Sequence, residues 1–251
     1  MQIILANAKL MTDKSEHEPQ SVPMFRDIAG HIAAEMSTMG VDDIAGLLGC
    51  NRKIAAENLL RYRNFPAAQH IAAIMAYNGQ AYKHLKASTL NQDALDFAQN
   101  HLWITCFLYG LLRPLDAIAP YRMEHTVSLE STDDRPMNRF WRDKLTDILI
   151  DSTKADDNIL VHLSTGEYEQ LFDWQRLCRE IRVVHPLFYV RKGGDLKVQA
   201  VWAKACRGAM VRFILENNLT DVNRLRDFSY EGFAFDPRLG DEDFPHFVRE
   251  D

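Results

Sequence analysis

The chain opens on a short apolar run, Gln-Ile-Ile-Leu-Ala over residues 2–6, bounded by polar residues, which predicts a buried strand. Residues 13–23 are rich in Ser, Glu and Pro and predict a loop. From residue 24 to 39 the period lengthens. Ile28, Ile32, Met36 and Met39 fall on one face and predict an amphipathic helix. Two helices follow over 42–49 and 52–64 with a very short connection, and further helices are expected over 67–76 and 91–100.

Beyond residue 100 the apolar runs become short and β-like, over 102–107, 127–129, 158–163, 180–190 and 196–202. Gly193 and Gly194 between the last two are a hairpin signal. Residues 139–150 and 204–217 return to helical spacing. No internal repeat or low-complexity linker divides the chain. The pattern predicts one α+β domain over 1–251, with a mixed sheet, a helical N-terminal segment and a loose acidic tail over 236–251.

Composition narrows the function classes. With 47% hydrophobic and 25% charged residues, the chain has a globular rather than a disordered balance. Apolar runs such as 102–112 fall short of the roughly 18 residues of a membrane span. The N-terminus lacks the basic and apolar regions of a secretory signal, so a cytoplasmic location and no membrane partner are expected. Cys50, Cys106, Cys178 and Cys206 are widely spaced and read as reduced, mostly buried thiols. Neither they nor the nine histidines show metal-ligand spacing, so no metal site and no cofactor are expected. No P-loop or G-x-G-x-x-G supports a nucleotide cofactor.

Charge changes the picture more than composition does. Residues 236–251 hold −4 of the net −6, leaving −2 for the rest of the chain. Two basic segments then stand out, 51–63 and 202–212. A phosphate feels charges within a Debye length of about 8 Å, so net acidity does not exclude a basic groove.

The first basic segment carries a motif. Gly49, Cys50, Lys53 and Ala55 fit the core of the helix–hairpin–helix DNA-binding motif, with Asn51 in place of its second glycine. Glycine lets backbone N–H groups approach a phosphate, and the following helix adds its positive end and a lysine. Asn is the next best residue in a left-handed conformation. Arg52, Lys53, Arg61 and Arg63 against Glu57 give this helix +3. The same spacing also describes an ordinary helix pair with a solvated basic face.

A longer set of residues resembles the YaaA family of bacterial peroxide-stress proteins. Tyr109, Gly110, Leu112, Arg113, Pro114, Leu115, Asp116, Pro120, Tyr121, Arg122 and Glu124 match its signature at every fixed position. Ala8 and Lys9, Tyr77, Gly79 and Tyr82, and Leu163, Ser164, Glu167 and Tyr168 follow in family order. Lys204, Arg207, Gly208, Met210, Arg212 and Phe213 continue the set, and Phe228, Glu231, Gly232, Phe233 and Phe235 close it. Departures occur at Asn7, Gln80, His162 and Ala205, which replace a proline, an aspartate, an asparagine and a lysine. The resemblance implies a mixed α+β fold with a helix–hairpin–helix and a positively charged cleft. It further implies double-stranded or distorted DNA as partner, and a role in lowering free intracellular iron under peroxide stress.

Lys9, Gly49, Asn51, Arg52, Lys53, Arg61, Arg113, Arg122, Lys204, Arg207 and Arg212 are therefore the candidate DNA contacts. Arg113 and Arg122 have a second reading, as arginines that hold their loop to Asp116 or Glu124. Lys204, Arg207 and Gly208 share one helical face that Arg212 continues. Ser164 and Glu167 are spaced as a capping box, which accounts for Ser164 better than nucleophilic catalysis does. A base-acting enzyme of glycosylase type, with its carboxylate among Asp116, Glu124 and Glu167, and an iron-sequestering protein stay open as alternatives.

Overall fold

The computed structural model describes every residue except Glu16 and Asp251. The first half runs β1 (Gln2–Ala6), α1 (Arg26–Ser37), α2 (Val41–Leu47), α3 (Arg52–Arg63), β2 (Ile71–Ala72), α4 (Ala73–Ala76), α5 (Gln80–Leu85) and α6 (Gln92–His101). Next come β3 (Leu102–Cys106), β4 (Gly110–Leu112), β5 (Ala117–Ile118), α7 (Met137–Lys154), β6 (Ile159–Leu163), α8 (Gly166–Glu169) and α9 (Trp174–Glu180). The chain ends with β7 (Arg182–Val184), β8 (Leu187–Lys192), β9 (Asp195–Lys197), α10 (Ala200–Glu216), β10 (Ser229–Tyr230), β11 (Phe233–Gly240) and β12 (Pro245–Glu250).

The unbroken apolar run Ile3, Ile4, Leu5 makes β1 a central strand covered on both faces. It pairs in parallel with β3 on one side and β6 on the other, in a five-stranded sheet ordered β4-β3-β1-β6-β7. A second five-stranded sheet is ordered β10-β11-β12-β8-β9, and β2 and β5 form a small pair. One contiguous apolar core takes in residues of both five-stranded sheets. Helix α10 touches β1 and β6 of the first sheet and β8 of the second, so its residues face the seam between them. Among the described residues no helix is long and apolar enough to cross a membrane.

Most predicted elements are found within a few residues, and five expectations are corrected. Over 67–76 a strand and one helical turn replace the expected helix, because Pro66 interrupts the chain and Ile71 and Ala72 pair with β5. The run 180–190 breaks at His185 and Pro186 into β7 and β8. Residues 127–129 form only a bridge between Ser128 and Pro136, and Val201 and Trp202 lie in α10. Residues 236–250 are not a loose tail. Strands β11 and β12 pair, β12 runs parallel to β8, and Asp236, Asp243 and Glu250 are taken up by Arg191, Arg238 and Arg182. The Gly193–Gly194 turn does join β8 to β9, with both glycines at positive φ.

Helices α2 and α3 are joined by a tight turn in which Gly49 has φ +53°. Asn51 is extended, with φ −71°, rather than left-handed. Its side chain caps α3 by accepting from the Ile54 N–H at 2.9 Å. The asparagine thus replaces a glycine by doing a different job.

Candidate functional site

The carboxyl ends of β1 and β6 open into a cavity of about 540 Å³. Ligands in open α/β sheets bind at this edge, where the strands end and loops diverge. Asn7, Ala8 and Lys9 follow β1 directly, Thr165, Glu167 and Tyr168 follow β6, and α5 and α10 close the other sides with Gln80, Tyr82, Lys204 and Arg207. Two glycines permit the closure. A Cβ on Gly79 would come 2.7 Å from the Ala8 Cβ, and one on Gly208 would come 1.8 Å from the Ala81 carbonyl oxygen.

The wall is a network of buried tyrosines. The Asn7 amide donates to the Tyr121 hydroxyl at 3.2 Å, and its carbonyl oxygen accepts from the Tyr168 hydroxyl. The Tyr121 and Tyr77 hydroxyls are 2.8 Å apart, and Tyr82 donates to the Ala6 carbonyl at 3.1 Å. Burial raises the pKa of all these phenols, so at neutral pH they are donors and rigid spacers rather than bases. Beneath them burial pushes the Cys106 thiol up to about 11.

Charge is arranged unevenly around the mouth. Glu124 bridges Lys9 at 2.7 Å and Arg122 at 2.9 Å. Glu167 lies 3.0 Å from Nδ1 of His125. Among the described residues, Lys204 and Arg207 have no carboxylate within ion-pair distance. Lys204 is exposed. Arg207 is half-buried, its enclosed Nε has no hydrogen-bond partner among the described residues, and burial lowers its pKa. A desolvated guanidinium without an anion is costly, so the site has an anion-shaped gap in its electrostatics.

Behind Arg207 lies a cluster absent from the sequence reading. His162, Glu169 and His185 bring one ligand atom each within 4.8 Å of one another, which corrects the expectation that dispersed histidines leave no ligand set. Their orientation does not suit one ion. The two imidazoles are stacked, centroids 4.2 Å apart and planes 17° from parallel, whereas a shared metal must lie in the plane of each ring. Nδ1 of His162 accepts the Ser164 N–H at 3.2 Å, so Nε2 carries the proton and donates it to Glu169 at 2.9 Å. The cluster is a neutral histidine pair, with His162 buried and His185 half-buried. Burial, then His162, then Arg207 hold His185 down to about 3.

Of the sequence candidates, Lys9, Lys204 and Arg207 meet in this cleft, and Arg122 stands behind it through Glu124. Arg113 does not reach it. Its guanidinium lies 3.3 Å over the Trp103 ring and bonds Gln2 and the Asn100 and Leu102 carbonyls. Arg212 turns away to the Leu85 and Lys86 carbonyls, since eight residues along a helix leave it about 80° from Lys204. Gly49, Asn51, Arg52, Lys53 and Arg61 belong to the separate α2–α3 turn, where Arg52 pairs with Asp42 and Arg61 with Glu57. Lys53 there is exposed. Ser164 is buried against Thr105 at 3.2 Å and does not cap α8, whose first flanking residue is Thr165. Asn7, Gln80, Thr165, Glu167 and Tyr168 complete the lining. Glu167 and Tyr168 were visible as motif residues, but nothing local in the sequence says that they face Lys204.

The family model for the peroxide stress protein YaaA matches residues 1–239. The chain belongs to the YaaA family. A UPF0246 protein of Bacteroides fragilis is 39% identical over 246 residues, covering 96% of both chains. Those of Parabacteroides distasonis and Legionella pneumophila are 35% and 31% identical over essentially the whole of each chain. The YaaA motif residues are scattered in sequence and gathered in space: Ala8, Lys9, Gly79, Tyr82, Glu167, Tyr168, Lys204 and Arg207 all line the cavity. From the YaaA signature segment, Tyr121 and Glu124 brace its wall.

Proposed function

We propose that this peroxide stress protein binds DNA, gripping phosphates at the cleft through Lys9, Lys204 and Arg207 and at the α2–α3 turn through Gly49 and Lys53. The observation that carries this reading is the convergence on one mouth of three cations from two distant segments, Lys9 after β1 and Lys204 and Arg207 on α10, the latter two without a carboxylate partner among the described residues. A neighbouring groove lined by Lys14, Lys83 and Lys86 shares Tyr82 with the cleft and extends the basic surface. The turn is within reach of the same ligand. Tyr62 donates to the Arg122 carbonyl, and Lys53 lies about 14 Å from Tyr62 along α3.

Such contacts read backbone phosphates and carry little base information, so duplexes of unrelated sequence should bind alike. Limiting free iron, the other role the resemblance implies, finds no suitable geometry in the stacked His162 and His185, so the reading rests on DNA. Fluorescence anisotropy with a labelled duplex tests it. Lys204→Ala and Lys53→Ala should each weaken binding several-fold, whatever the sequence. Unchanged binding by both variants, or no binding by the parent, refutes the reading.

A further inference from the structure

We infer that the cavity beside Arg207 is also a phosphomonoester pocket, taking the terminal phosphate and adjoining nucleotide of a phosphorylated ligand inside a mouth whose cations meet duplex phosphates. This deepens the DNA-binding reading and rests on it only for the strand-end source of the ligand.

The volume is the first argument. At about 540 Å³ the cavity is in the range of small-molecule pockets, roughly 300–1,000 Å³, and far too small to admit a duplex. A single nucleotide is the largest piece of nucleic acid that enters.

The charge is the second. Lys9 is held by Glu124, and among the described residues Lys204 and Arg207 are the lining cations with no carboxylate at ion-pair distance; Glu167, 3.0 Å from His125, is the one lining carboxylate. Two adjacent cations without a carboxylate partner among the described residues match a phosphomonoester, which carries about −1.5 to −2 at neutral pH, better than a phosphodiester with one. Arg207 lines the cavity, and a guanidinium is a planar fork that can take two oxygens of one phosphate. Gln80 and Thr165 add neutral polar groups to the lining.

The rim of the cavity is apolar in part. Leu10 lines the cavity and is 65% exposed, and Val201, one turn before Lys204 on the same face of α10, is 60% exposed. Apolar side chains beside free cations suit a ligand with a flat apolar portion attached to its phosphate, as in a nucleotide.

The test uses the full chain and four probes: adenosine 5′-monophosphate, adenosine, and one duplex with and without 5′-phosphates. Isothermal titration should detect the monophosphate and not adenosine, and the phosphorylated duplex should bind about tenfold tighter than its 5′-hydroxyl twin, the effect of one or two charge-assisted hydrogen bonds. Lys204→Ala, at an exposed position, and Arg207→Lys, which keeps charge but loses the fork, should both reduce these differences. Lys53→Ala should weaken both duplexes equally and leave the monophosphate unaffected. Binding of the monophosphate without discrimination between the duplexes still supports the pocket and makes free nucleotides its source. If the monophosphate binds no better than adenosine and 5′-phosphorylation changes nothing, the pocket assignment is overturned. The DNA-binding reading then survives if both duplexes still bind.

Discussion

A Cβ on Gly208 would lie 1.8 Å from the carbonyl oxygen of Ala81, so α10 and α5 meet backbone to backbone beside the cleft. No rotamer relieves that contact, because both partners are main chain. Gly208→Ala should therefore cost on the order of 3 kcal/mol in urea unfolding, by forcing the two helices apart. Gly46→Ala is the control. Gly46 is exposed in α2 with open space around it, and alanine there should add about 0.5–1 kcal/mol. Equal effects of the two changes would mean that the α5–α10 approach is not tight.

Stability should fall on mild acidification. His185 is held down to about 3 by burial and by the positive potential of its neighbours, while in the unfolded chain it titrates near 6.5. Below about pH 6.5 the unfolded chain takes up a proton that the native state refuses. The stabilisation is thus complete above that pH and lost as pH falls towards 3, by at most about 1.4 kcal/mol per pH unit. Buried His162 shifts in the same direction. The carboxylates of Glu35 and Asp156, lowered instead, lose their contribution only below their ordinary values of 4.5 and 3.8. Comparing unfolding free energies at pH 7.5 and 5.5 isolates the histidines, and His185→Gln should flatten the difference.

The two buried thiols should be poor peroxide sensors. Cys106 and Cys206 are buried, with burial pushing them up to about 11 and about 12, so neither supplies thiolate at neutral pH. Ellman's reagent on the native protein should modify exposed Cys178 and half-buried Cys50 first, and the remaining two only on unfolding. Rapid oxidation of Cys106 by hydrogen peroxide would contradict this.

Divalent metal should bind weakly. The stacked rings of His162 and His185 must separate, and the proton between His162 and Glu169 must leave, before the three side chains can share an ion. Equilibrium dialysis against Zn²⁺ should show no tight site, and His162→Gln should change little. One tightly held ion per chain, lost in that variant, would show that the cluster rearranges.

Local pattern made much of the fold legible. The apolar run of β1, the amphipathic face of α1 and the glycine turn between β8 and β9 each declare their element within a few residues. What was hidden depends on partners far along the chain. The charges of 236–250 look like a solvated tail until Arg182 and Arg191 are placed beside them. Ile71 and Ala72 form a strand only because β5 lies next to them. The site divides in the same way. Lys9, Lys204 and Arg207 were visible as cations, but their meeting follows from the parallel pairing of β1 with β6 and from the two glycine contacts. Arg113 looked like an equally good phosphate ligand, and only the position of Trp103 shows that its charge is engaged internally.

The salt dependence of duplex binding tests the central claim, that phosphates are gripped at the cleft and at the α2–α3 turn. On a log–log plot the affinity should fall with a slope of about −0.9 for each phosphate neutralised. Lys204→Ala and Lys53→Ala should each flatten that slope by about one unit, and the double variant by about two, because the residues touch separate phosphates. Slopes for all three variants that coincide with the parent's would contradict the account.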